Sequence, residues 1–179
     1  MEKETNTLIQ DLQHQKPAAC QKLLTDYGPA VFRMVQCIIS QREDVEEVYQ
    51  DVFVKALRGI QSYNPKQASL GTWLSRIAYN ESLNFLRSRK PNIIYIDDRE
   101  LGSDSFEVPD DAPQDEHTIA LLEQALSLLP PHEQAIISMF YYEEKSLADI
   151  AYITGSIPST VGSQLSRIRK KLYRIIKTL

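Results

Sequence analysis

The chain has 179 residues, of which 42% are hydrophobic and 25% charged, and its formal net charge is -4. A chain of this length forms one medium domain or two small ones, and no apolar run approaches the roughly 18 residues that cross a bilayer. The two cysteines and three histidines show no metal-ligand spacing, so we expect no metal and no cofactor. The N-terminus has no secretory h-region, and we therefore expect a cytoplasmic protein without membrane insertion.

The first third of the chain has the apolar spacing of helices. Residues 17–39 follow a helical pattern that Pro29 is expected to break. Residues 42–60 hold the i, i+3, i+4, i+7 spacing over four turns. Ser40 and Glu43, three residues apart, form a capping-box signature before this helix.

A second strong helix is predicted over residues 70–89, after a turn that Asn64-Pro65 indicates. Trp73 has the spacing of a core residue on its apolar side. Four polar side chains share one face of this helix at i, i+4, i+8 and i+11: Arg76, Asn80, Asn84 and Arg87. Residues 4–90 are therefore predicted to form an all-α domain.

An acidic linker is predicted over residues 91–117. Within it, residues 97–116 hold nine acids against one base, together with two prolines and no helical period. This stretch carries a charge of -8, so the rest of the chain, whose total is -4, carries +4.

The remaining residues, 118–179, predict a second helical domain that contains a helix-turn-helix. Ser146 and Asp149 form a capping signature that opens a short helix. Gly155 suits the left-handed position at its end, and the residue before Pro158 is biased out of the helical region, so a new helix begins there.

The last helix divides into two faces. Its apolar stripe consists of Val161, Leu165, Ile168 and Leu172. The other side carries hydroxyls and an amide, followed by cations: Thr160, Ser163, Gln164, Arg167, Lys171 and Arg174. Such a face suits major-groove binding, with the first residues on base edges and the later cations on phosphates. A solvated basic face on a packing helix is the alternative interpretation.

With these motifs on both blocks, the chain resembles a bacterial RNA polymerase sigma factor of the sigma-70 family, extracytoplasmic-function (ECF) type. The family's polymerase-docking motif is matched by DVEEVYQDVFVKAL, and its minus-ten recognition helix by GTWLSRIAYNESLNFLRSRK. The start of its minus-thirty-five domain is matched by ALSLLPPHEQAIISMFYYEEKSLADIAYITG. The family's usual Gly-Thr-Val-Lys-Ser-Arg run reads instead as Ser159 to Gln164, without its two cations.

The resemblance implies a role for each polar face. Docking to core polymerase is expected from Asp44, Glu47, Gln50 and Asp51, a face that alone would indicate only a solvated acidic surface. Minus-ten contacts are expected from Arg76, Tyr79, Asn80, Asn84 and Arg87, with the loop 62–69 holding one flipped base. Minus-thirty-five contacts are expected from Ser159, Thr160, Ser163, Gln164, Arg167 and Lys171. Gly162 either allows close approach to DNA or reflects drift at a tolerant site.

The partners that the resemblance implies are core RNA polymerase, through its clamp helices and flap, promoter DNA, and an anti-sigma factor. The expected function is promoter-specific initiation of transcription with opening of the duplex, and no enzymatic activity. Two alternatives remain. One is a helix-turn-helix regulator that binds DNA without joining polymerase, and the other is a sigma-like protein that acts only by protein contact.

Overall fold

The structure, a computed structural model, describes residues 2–89 and 116–179, with the side chains of residues 2, 3 and 116–118 left aside. All its regular structure in these ranges is helical, which confirms the predicted all-α class. The helices are α1 (Glu2–Gln13), α2 (Pro17–Ile38), α3 (Arg42–Gly59), α4 (Leu70–Arg89), α5 (Glu116–Ser127), α6 (Pro131–Ile137), α7 (Leu147–Thr154) and α8 (Pro158–Thr178). A 3-10 turn (Ile60–Ser62) follows α3, and a π-helical turn (Ser138–Tyr142) follows α6. No helix in these ranges is long and apolar enough to cross a membrane.

Helix α2 runs through Pro29, so the predicted break is wrong. Proline removes one backbone donor and crowds the preceding turn, but apolar residues are buried on both sides of it. Leu23 before Pro29 and Val31 after it are each 2% exposed. Tertiary packing of this apolar face holds the helix together across the proline, because packing supplies most of the stability of a helix in a protein.

The start of α3 also differs from the prediction. Gln41, in extended conformation, is the N-cap, and no side chain caps this end of the helix. The capping box expected from Ser40 and Glu43 is therefore wrong, because the chain enters the helix one residue later than that motif requires. Glu43 and Asp44 still place negative charge in the first turn, where the helix dipole favours it.

Helices α2, α3 and α4 pack together around the first core, and α4 lies against both of the others. Leu74 and Ala78 of α4, Val35 of α2 and Val52 of α3 are completely buried. This packing leaves a polar side of α3 exposed. It also leaves exposed the C-terminal half of a polar side of α4.

The second group of helices lies against the first. Helix α7 packs on α4, and α6 packs on α2. The predicted linker, 91–117, falls outside the described residues except for its last two positions, which already belong to α5.

Candidate polymerase and nucleic-acid interfaces

The first candidate surface is the α3 acidic face, made of Asp44, Glu47, Gln50 and Asp51. Arg89, at the end of α4, places Nη1 2.7 Å from Oδ1 of Asp44 and Nη2 3.5 Å from Oε2 of Glu47. Gln50 and Asp51 are exposed. Arg89 thus partly balances the negative charge of this face at its Asp44 end, and the Asp51 end is exposed to solvent.

Sequence reasoning missed two members of this surface. Arg89 was not assigned to it, because its contact with α3 spans 45 residues of sequence. Val54 is 44% exposed and follows Gln50 and Asp51 by four and three residues, so it lies beside them on the helix. Its place outside the apolar period of α3 was a signal that could have identified it.

The second candidate surface is the α4 amide face, made of Asn80, Asn84 and Arg87. All three are exposed. Arg87 donates from Nη1 to Oδ1 of Asn84 across 3.4 Å, which leaves the amide nitrogen of Asn84 and the side-chain amide of Asn80 directed toward solvent. Amides beside a cation can bond base edges and a phosphate at the same time.

Tyr79 and Arg76 also belong to the predicted minus-ten set, but they are less exposed than its other three members. Tyr79 is only 7% exposed, and burial raises the pKa of its phenol. It is part of the core and cannot stack on a base from this position, so its assignment to DNA is corrected. The guanidinium carbon of Arg76 lies 4.7 Å from the ring centroid of Tyr152 on α7, and α7 therefore covers the residue on that side.

Hydrogen bonds of its side chains brace the loop before α4, which is predicted to hold a flipped base. The Tyr63 hydroxyl donates to the carbonyl of Ala68 across 3.0 Å, and Asn64 Oδ1 accepts from the backbone N–H of Lys66 across 3.0 Å. Ser69 caps the helix, because its Oγ accepts from the N–H of Thr72 at 3.1 Å. The capacity of the loop 62–69 to hold a flipped base stays a prediction.

Helices α7 and α8 form the predicted helix-turn-helix. Ser146 is the N-cap of α7, and its Oγ accepts from the N–H of Asp149 at 3.1 Å. Gly155 ends α7 with φ of 71°, a conformation that glycine adopts without strain. Pro158 stands at the first position of α8 after an extended Ile157. The predicted apolar stripe of α8 is buried along its whole length.

The third candidate surface is the α8 hydroxyl face, made of Ser159, Thr160, Ser163 and Arg167. All four side chains are exposed. The Ser163 hydroxyl donates to the carbonyl of Ser159 across 3.0 Å, and its lone pairs remain available as acceptors. The face has the hydroxyls at the N-terminal end and a cation one turn later, which suits the major groove.

Gln164 and Lys171, which were predicted on this face, are turned toward α6. Lys171 Nζ lies 3.0 Å from Oε2 of Glu133, and these side chains are 19% and 8% exposed. A buried carboxylate needs a paired charge, so Lys171 has a role in the fold, and its contact with phosphate stays a prediction. Gln164 lines a cavity of about 220 Å³ beside Glu133 and Ile136. Its Oε1 is buried without a hydrogen-bond partner in the described part of the chain.

The sequence matches known families on both sides of the linker. The model of Sigma-70 region 2 matches residues 23–91, and that of Sigma-70, region 4 matches residues 119–172. The chain is 31% identical to the ECF RNA polymerase sigma-E factor of Haemophilus influenzae, over 96% of its own length and 95% of that protein. The chain belongs to the sigma-70 family, ECF type.

Two solved structures have the same fold. CnrH in complex with the cytosolic domain of CnrY superposes with a TM-score of 0.69 at 20% identity, covering 97% of each chain. The sigma factor RpoE in complex with the anti-sigma factor NepR from Bartonella quintana gives 0.62 at 24% identity, covering 88% of this chain and 95% of that one. At these identities the likeness concerns the fold alone.

In this ECF-type chain the three candidate surfaces fall within the matched regions. The α3 acidic face and the α4 amide face lie in region 2, and the α8 hydroxyl face lies in region 4. Helix α8 has one available cation fewer than the sequence predicted, because Lys171 pairs with Glu133. Arg167 remains an exposed cation on the α8 hydroxyl face.

Proposed function

We propose that this chain is a sigma factor that binds core RNA polymerase, recognises minus-ten and minus-thirty-five promoter elements, and opens the duplex. The observation that carries the proposal is the presence of both sigma regions, in order, each with an exposed polar helix face. The α4 amide face belongs to region 2, and the α8 hydroxyl face belongs to region 4. A single helix-turn-helix would leave the region 2 surfaces without a role.

The docking step would use the α3 acidic face. Carboxylates of Asp51 and Glu47 can accept charge-assisted hydrogen bonds from arginines of the polymerase clamp helices. Val54 adds exposed apolar area beside them, and a partner that covers it gains burial in addition to charge pairing. Arg89 would hold Asp44 and Glu47 in place while the outer end of the face engages the partner.

Promoter recognition would divide between the two domains. On the minus-ten strand, Asn80 and Asn84 can bond the exposed edges of unpaired bases while Arg87 meets phosphate. The braced loop before α4 would hold one flipped base, and hydrogen bonds to that base offset an unstacking cost of a few kcal/mol. In the minus-thirty-five groove, Ser159, Thr160 and Ser163 can read base edges.

The proposal assigns the chain a role in specificity rather than catalysis, because the polymerase performs the chemistry of RNA synthesis. A factor that joins polymerase works in the cytoplasm. An anti-sigma factor is proposed as a further partner, because the two solved structures named above are complexes, one of them with a named anti-sigma factor. Such a partner would be expected to cover the same faces that polymerase and DNA use.

The deciding experiment is run-off transcription with core polymerase, the full chain and a library of genomic promoter fragments. We expect discrete transcripts that require the added chain, and Asn80→Ala should reduce them at the melting step. Each altered base contact in this variant should cost about 1–3 kcal/mol. Binding to DNA without co-purification of core polymerase would instead support a helix-turn-helix regulator. Polymerase binding without promoter-specific transcripts would support the sigma-like protein that acts only by protein contact.

A further inference from the structure

The N-terminal end of α8 carries an exposed apolar side chain that stabilises neither the helix nor the core. Ile157 is 61% exposed. It is the N-cap of α8, and its side chain makes no capping hydrogen bond. Isoleucine is among the least favourable residues at an N-cap, where serine, threonine, asparagine and aspartate accept a hydrogen bond from a free backbone N–H. The first helix of the same motif has such a cap, since Ser146 caps α7.

The backbone conformation of Ile157 does not by itself require isoleucine. Its φ of -116° and ψ of 153° suit β-branched side chains, and the position before a proline favours the same extended region. Threonine has the same branching at Cβ, and its hydroxyl can also cap the helix. The longer aliphatic chain of isoleucine gains burial only when a partner covers it.

Ile157 lies next to the α8 hydroxyl face. Its carbonyl accepts from the N–H of Val161 at 3.1 Å, so it opens the first turn of α8. Thr160 follows it by three residues, which is the spacing of neighbours on a helix surface. The first residues of the second helix in a helix-turn-helix reach base edges in the major groove. An exposed side chain at this end of α8 would therefore enter the groove together with the hydroxyls.

The hydroxyls of this face discriminate weakly between bases. A hydroxyl both donates and accepts, so serine and threonine can bond to either kind of base edge. Gln164, whose amide would suit adenine, is turned toward α6 with its Oε1 buried. The apolar group that bases display in the major groove is the C5-methyl of thymine. An apolar side chain beside the hydroxyls would add a base preference that the hydroxyls lack.

We propose that Ile157 is a specificity-determining residue that contacts the C5-methyl group of a thymine in the minus-thirty-five element. The inference rests on the proposed sigma function and adds a base preference to it. Deoxyuridine differs from thymidine only by the absence of this methyl group, and it keeps every hydrogen-bonding group of the base. Replacing thymidine by deoxyuridine therefore separates the apolar contact from hydrogen bonding.

The test starts from a promoter that gives transcripts in the run-off experiment. Its minus-thirty-five element is randomised, and the duplexes retained by the full chain with core polymerase are selected. Each thymidine of the selected element is then replaced singly by deoxyuridine, and the affinity is measured. For the wild type we expect one replacement to weaken binding about fourfold, the ratio for the burial of one methyl group. Ile157→Ser should bind both versions of that duplex equally, and Ile157→Val should keep most of the preference.

Two controls separate the contact with DNA from a role in folding. Ile157→Ser gives α8 the kind of cap that Ser146 gives α7, so its thermal unfolding midpoint should equal or exceed that of the wild type. Leu128→Ser is the matched control, because Leu128 is 58% exposed and lies in the turn after α5, outside α8. It should keep the wild-type preference for thymidine.

The inference would be overturned by a selected element without thymine, or by a wild type that tolerates deoxyuridine at every position. An unchanged preference in Ile157→Ser would assign the methyl contact to another residue. A lower unfolding midpoint in Ile157→Ser would make Ile157 part of the fold and would also overturn the inference. The absence of transcripts from every promoter would instead reject the proposed function, and the inference would fall with it.

Discussion

Lys171 shows how a cation on a recognition helix can belong to the fold. Its ion pair with Glu133 is nearly covered, and removing one partner of a buried pair leaves the other charge uncompensated. We expect Lys171→Met to lower the free energy of unfolding by about 2–3 kcal/mol, and Glu133→Gln added to it to recover much of the loss. Urea denaturation of the full chain measures both.

A role of Lys171 in phosphate binding would give a different pattern. Stability would then be unchanged, and the salt dependence of minus-thirty-five binding would become shallower by about one counterion. Arg167→Gln serves as the comparison, because Arg167 is exposed on the same helix and should show that shallower dependence without loss of stability.

Gly162 is a second residue whose meaning depends on its neighbours. A methyl group added there would meet Cδ1 of Leu147 at 3.9 Å, which is ordinary van der Waals contact. We expect Gly162→Ala to stabilise the chain by about 0.5–1 kcal/mol by raising helix propensity. Affinity for the minus-thirty-five element should stay unchanged, because we expect Gly162 to be a tolerant site rather than a point of close approach to DNA.

Gly155 provides the matched control for that substitution. Its φ is 71° and nothing lies within 4 Å of an added Cβ, so Gly155→Ala introduces backbone strain without a clash. It should destabilise by about 1 kcal/mol. Thermal unfolding of both variants, with binding to a randomised minus-thirty-five library, separates the two explanations. Loss of DNA affinity in Gly162→Ala would contradict the prediction.

Tyr79 adds a pH dependence to stability. Burial raises the pKa of its phenol above that of the unfolded chain, so the unfolded state loses this proton first. The native state then binds more protons, and stability falls as pH rises past about 10. Tyr79→Phe should reduce this alkaline loss and leave stability at pH 7 nearly unchanged, as measured by urea titration at several pH values. An unaltered alkaline profile would contradict the assignment of Tyr79 to the core.

At the scale of the element, the α3 acidic face is the proposed docking surface for core polymerase. We expect Glu47→Lys with Asp51→Lys to abolish binding to core polymerase, because both changes place cations opposite the proposed arginines. Helix content should be unchanged, since the two side chains are solvent-exposed. Gel filtration with core polymerase and circular dichroism test the two halves of this prediction.

The control for α3 is Asp26→Lys. Asp26 is also exposed, but it lies on α2, where it pairs with Lys22 one turn earlier. It should bind polymerase as wild type does. Equal affinity of the double variant and this control would remove the α3 acidic face from the docking site.

At the scale of the whole molecule, charge is unevenly distributed along the sequence. Residues 97–116 contain nine of the acids, and the chain without them would change from a net charge of -4 to +5. Replacing these nine acids by their amides should strengthen non-specific DNA binding of the free chain at low salt. The difference should vanish near 1 M salt, where screening acts over about 3 Å. A difference that persists at high salt would indicate a cause other than charge.

The sequence by itself determined those features of the helices that depend on interactions within one or two turns. The apolar stripe of α8, the Ser146 cap and Gly155 at the end of α7 all follow from neighbours close in sequence. Local rules were wrong for Pro29, where packing of distant apolar residues outweighs the missing backbone hydrogen bond. They were also wrong at Ser40, because a capping motif does not by itself set the residue at which a helix begins.

Only the tertiary structure decided which polar residues remain available. Tyr79 shares a helix with Asn80, but it faces α4's packing partners. Lys171 shares a helix with Arg167, but it meets Glu133 from 38 residues away. The cover of Tyr152 on Arg76 likewise depends on how region 4 lies against region 2. Helical periodicity specifies which residues share a face, whereas burial and pairing of that face depend on partners from distant parts of the chain.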